Sequence, residues 1–90
     1  MAKIHVTPVG DDVYRVRVKE ENGSSEHQVT ATVAHLEAYG AGADSKTVIE
    51  ESFRFLLERE PKESILSRFE LPVIERYFPE YPQEIHRRLA

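Results

Sequence analysis

Cysteine and tryptophan are absent from the 90-residue chain, and methionine occurs only once. Without cysteine there is no disulfide framework, no thiol nucleophile and no thiolate metal site, which accords with a cytoplasmic setting. No apolar run approaches the length that spans a bilayer. Met1 to Val9, interrupted by Lys3, His5 and Pro8, lacks the apolar stretch of a signal peptide. A soluble, cytoplasmic protein without membrane contact is therefore expected. The net charge of −4 disfavours a globally basic nucleic-acid binder and leaves room for a local basic face.

Catalytic signatures are missing as well. There is no phosphate-cradling Gly-x-x-x-x-Gly-Lys loop, and Ser24 and Ser25 lack a Gly-x-Ser-x-Gly context. His5, His27, His35 and His86 lie far apart without metal-ligand spacing. The acidic pairs Asp11-Asp12 and Glu20-Glu21 fall in turns and Glu50-Glu51 diverges on a helix, so nothing raises a carboxyl pKa for acid–base work. A non-enzymatic protein with no metal and no cofactor is expected.

What is present is an ordinary globular balance, 40% apolar and 31% charged, enough for one core in a single domain over 1–90. Up to residue 33 the pattern has period two, broken by Gly10-Asp11-Asp12 and by Asn22-Gly23-Ser24-Ser25. This predicts a three-stranded antiparallel meander over 3–9, 13–20 and 26–33. One face carries Ile4, Val6, Tyr14, Val16, Val18, Val29, Ala31 and Val33, with His27 in the same phase as a hydrogen-bonded core histidine. The opposite face carries Lys3, His5 and Thr7, then Val13, Arg15, Arg17 and Lys19, then Gln28, Thr30 and Thr32.

Beyond residue 33 the period becomes helical. A short helix over 34–39 should stop at Gly40-Ala41-Gly42, because glycine accepts the left-handed backbone that ends a helix. Asp44 or Ser45 caps a longer helix over 45–60, with Val48, Ile49, Ser52, Phe53, Leu56 and Leu57 on one side. Pro61 and Pro72 each suit the first position of a further helix, the former through Ile65, Leu66 and Phe69. The fold class is thus α+β, a three-stranded antiparallel meander followed by three to four helices packed on one face. Val16, Val29, Phe53, Leu56 and Phe69 are expected at its centre. Phe69, Tyr77, Phe78 and Tyr81 are placed either to floor a small-molecule pocket or to complete the core.

Two resemblances add to this reading. The run from Phe53 to Leu66 containing Leu56-Leu57-Glu58-Arg59-Glu60-Pro61-Lys62-Glu63-Ser64-Ile65, followed by Phe69-Glu70-Leu71, Val73-Ile74 and Tyr77-Phe78-Pro79-Glu80-Tyr81, resembles a family of small uncharacterised bacterial proteins. That resemblance implies no activity or cofactor. Residues 27–60 resemble ribbon-helix-helix regulators: a strand with alternating Gln28, Thr30 and Thr32, a helix, a small-residue turn and an amphipathic helix. This second resemblance implies an antitoxin or repressor whose ribbon reads the DNA major groove while two protomers pair their strands.

The candidate partner-binding residues are Arg15, Arg17, Lys19, Gln28, Thr30 and Thr32. Arginine supplies forked donors for carboxylate or phosphate, and the amide and hydroxyls supply short hydrogen-bonding groups. The expected partner is another protein or a second copy of the chain. Nucleic acid is the alternative.

Overall fold

The computed structural model describes residues 2–90. Its first three strands, β1 (Lys3–Gly10), β2 (Val13–Glu20) and β3 (Gly23–Thr30), form the expected antiparallel meander. In the first turn Asp12 takes φ 60°, a left-handed value that aspartate tolerates better than most side chains. The second turn is tighter than the sequence pattern indicates. Gly23 at φ 134° already pairs with Glu20, so β3 begins before residue 26. Pro8 lies on β1, an edge strand, where a missing backbone N–H leaves no ladder bond unmade.

A fourth strand corrects the expected antiparallel, three-stranded sheet. β4 (Arg68–Glu70) pairs with β3 in parallel, giving a mixed sheet in the order β1-β2-β3-β4. Gln28 N donates to Ser67 O at 2.8 Å, and Leu71 N donates to Thr30 O at 2.9 Å. The segment after Pro61 is therefore a short 3₁₀ turn (Lys62–Ser64) and then a strand, not the helix expected through Phe69. Ile65, Leu66 and Phe69 fit a helical stripe by spacing. The pull of an unpaired β3 edge decides otherwise, because unmet backbone groups beside a core are costly.

The described residues also form four α-helices: α1 (Val33–Gly40), α2 (Ser45–Leu57), α3 (Val73–Tyr77) and α4 (Tyr81–Leu89). Thr32 caps α1 in a reciprocal box. Its Oγ1 accepts from His35 N at 3.1 Å, and its own N donates to His35 Nδ1 at 3.1 Å. Val33, expected on the core face, opens the helix instead and is 66% exposed. At the other end Gly40 is still helical, and the left-handed residues are Ala41 at φ 50° and Gly42 at φ 82°. Among the described residues, no helix is long and apolar enough to cross a membrane.

α2 packs against β1 and α4 packs against α2, and Val16, Val18 and Val29 from the sheet join Val48, Ile49 and Phe53 from the helix in one buried apolar cluster. Val16, Val29, Phe53 and Leu56 are buried, as expected from their phase, and Phe69 is buried too, on a strand rather than on the expected helix. Phe55, left off the expected apolar stripe, is fully buried too. Phe78 meets it edge-on at 5.9 Å, Tyr81 lies 5.3 Å away, and the Arg59 guanidinium stacks 3.7 Å from its centroid. Tyr81 and Ser52 share a buried hydrogen bond at 2.7 Å, and the Ser52 hydroxyl also lies 2.7 Å from Val48 O. Tyr39 donates to Glu75 at 2.7 Å, and burial together with that carboxylate pushes its phenol up to about 12.

Lys62 ties the 3₁₀ turn to the β2–β3 hairpin. Its buried ammonium reaches Glu63 at 2.8 Å, Glu20 at 3.0 Å and Asn22 Oδ1 at 3.0 Å. Hydrogen bonds to Glu63 and Glu20 hold Lys62 above the ordinary lysine range, and the bond to Lys62 holds Glu63 below the ordinary carboxylate range. A lowered carboxylate contributes stability above its unfolded pKa and loses it as pH falls through the folded value. The raised ammonium contributes below its unfolded pKa and loses it as pH rises through the folded value. Lys62→Met should therefore melt below wild type at neutral pH, with the gap narrowing in acid and in strong base. Melting points that stay parallel across the pH series would show that the ion cluster carries no stability.

Candidate interaction face

Residues opposite one another on paired strands point to the same side of a sheet. The register places Lys3 opposite Lys19, His5 opposite Arg17, and Thr7 opposite Arg15. It continues with Arg15 opposite Gln28 and Arg17 opposite Glu26, and β4 adds Arg68 opposite Gln28 and Glu70 opposite Thr30. Arg15, Arg17, Lys19, Gln28 and Thr30 therefore share one face, as their period-two spacing indicates. Arg15, Arg17 and Lys19 are exposed, while Gln28 and Thr30 are half-buried. Thr32 does not belong to it, because β3 ends at Thr30 and the Thr32 hydroxyl is committed to capping α1. Arg68 is the member that local pattern reading missed, since only the long-range pairing of β4 brings it beside Gln28.

The face concentrates positive charge on an acidic protein. Lys3, Arg15, Arg17, Lys19 and Arg68 outnumber Glu26 and Glu70, whereas the whole chain carries −4. Glu26 answers only part of this charge, lying 3.7 Å from Arg15 and 3.4 Å from Arg17, with all three side chains more than half exposed. Exposed pairs of this kind contribute about 0–1 kcal/mol and exchange readily with a partner's carboxylates. Like charges set directly opposite, as Lys3 and Lys19 are, work against sheet pairing. The surface is also concave. His5, Thr7, Arg15, Arg17 and Lys19 line a shallow depression of about 350 Å³.

Three of the histidines have structural partners. His27 is buried, 2.8 Å from Ser25 Oγ and 2.8 Å from Leu66 O, in agreement with its core phase. His35 belongs to the α1 cap, and His86 reaches Ala38 O at 3.1 Å. His5 stands on the basic face. Among the described residues, no three His, Asp or Glu side chains converge as a metal-sized cluster.

β3 is the strand that a ribbon-helix-helix arrangement would pair between protomers. Here both of its edges are occupied, by β2 and β4, so pairing between copies would have to use β1 or β4. No protein-family model, curated protein or solved structure matches the chain.

Proposed function

We propose that the protein is a non-enzymatic interaction module whose outer sheet face captures an acidic surface of a protein partner. The observation that carries this reading is a run of cations on one face, Lys3 held directly opposite Lys19 beside the exposed Arg15 and Arg17. Such an arrangement costs folding stability and is compensated when carboxylates arrive from outside. The arginine forks give directional bonds to carboxylates, and Gln28 and Thr30 border them with neutral hydrogen-bonding groups.

Reversing Arg15 and Arg17 to glutamate tests it. At 4 Å in water each contact contributes about 1 kcal/mol, and reversal turns attraction into repulsion of the same size. After screening by salt, affinity for a polyglutamate peptide should fall on the order of ten- to a hundred-fold. The melting temperature should hardly move, because both side chains are exposed. Unchanged affinity would remove the face from the function. Tighter binding to a short DNA duplex than to polyglutamate, falling steeply with salt, would transfer the face to nucleic acid.

A further inference from the structure

On the opposite side of the molecule an apolar groove opens between the end of α2, β4 and α3. Leu56, Leu66, Phe69 and Tyr77 are among its walls, and its volume is about 170 Å³. That is below the ~300–1,000 Å³ of sites that enclose drug-sized ligands and several times the roughly 30 Å³ of a liquid water. A single ring-sized group fits it. Leu66 and Tyr77 remain 46% and 66% exposed at its rim, an apolar surface that the fold leaves uncovered.

One charged side chain lies in this wall, Glu60, and it forms no ion pair among the described residues. The cations nearest in sequence are engaged elsewhere: Arg59 is 3.0 Å from Glu80, and Lys62 is 2.8 Å from Glu63. Burial without a compensating partner holds the Glu60 carboxyl above the usual range. A carboxylate in that situation gains most from a cation supplied by a ligand, and Tyr77 lines the same groove.

We propose that this groove binds a small amphipathic amine, its ring-sized apolar group against Leu56, Leu66 and Phe69 and its ammonium on Glu60. Charge complementarity selects the head and the volume limits the tail. The site is separate from the basic sheet face, which would repel the same ligand.

Amide NMR titration with phenethylammonium, 2-phenylethanol and 3-phenylpropionate tests the proposal. Phenethylammonium should bind with a dissociation constant on the order of 1 mM, moving the resonances of Glu60, Leu66 and Tyr77. The alcohol should bind about ten-fold more weakly and the carboxylate not measurably. Glu60→Gln should erase the preference for amine over alcohol while leaving the fold intact, and Tyr77→Ala should weaken both. Equal affinity for the three probes, or shifts that map away from the groove, would overturn the assignment. So would ligand-free shifts of Leu66 and Tyr77 that grow with protein concentration, which would make the groove a contact between copies. A lysine–phenylalanine peptide binding more than about ten-fold tighter than phenethylammonium would make the occupant a polypeptide instead.

Discussion

Truncation of Phe53 to alanine should lower stability by about 3–5 kcal/mol, the usual cost of emptying a buried aromatic site. The ring is fully buried, with the His27 ring 5.3 Å away on β3 and the Phe69 ring 6.0 Å away on β4. It thus joins α2 to the two strands whose parallel pairing closes the sheet, and its loss removes contacts on both sides. Domains of this size have total stabilities of about 5–15 kcal/mol. Each kcal/mol shifts the midpoint by roughly 4–8 °C, so the variant should melt some tens of degrees lower or be unfolded as purified. Leu56→Ala, at 4% exposure, should lose about 2–5 kcal/mol. Circular dichroism melts check both, and wild-type midpoints would refute a core centred on α2.

Gly40→Ala should destabilise by about 1–3 kcal/mol, although alanine is the better helix former. A Cβ built on Gly40 falls 2.9 Å from Val48 Cγ2, closer than carbon atoms approach without something moving. Valine has little rotamer freedom in a helix, so Val48 cannot turn aside, and both residues are buried where α1 meets α2. Val48→Ala removes the obstructing methyl. The double variant should therefore be more stable than the two single effects added together, a coupling that chemical denaturation of all four proteins would measure. Strict additivity would mean that the α1–α2 contact is looser than described. The glycine matters here for its lack of a side chain. The left-handed backbone of the turn is taken by Ala41 and Gly42.

The sequence alone determined whatever depends on neighbours in the chain. Alternation from Lys3 to Thr30 placed Arg15, Arg17, Lys19, Gln28 and Thr30 on one face, because a strand's side chains alternate whatever it pairs with. The spacing of three and four along α2 likewise marked Val48, Ile49, Phe53 and Leu56 for burial. Where the strand would end was not legible in this way, since Val33 and Thr32 continue the alternation past Thr30. A capping box with His35 turns the backbone into α1 there, and Thr32 leaves the candidate face with it. Position 55 was not legible either, because its burial depends on α4 arriving from more distant sequence.

Only the tertiary structure could decide β4, Arg68 and the amine-sized groove. Residues 65–69 carry too few alternations to mark a strand, and their apolar spacing suits a helix as well. What selects the strand is the open edge of β3, whose backbone groups need partners beside an apolar core. A hydrogen-bond requirement at Gln28 and Thr30 is met by Ser67 and Leu71, about forty residues on, and no local pattern encodes it.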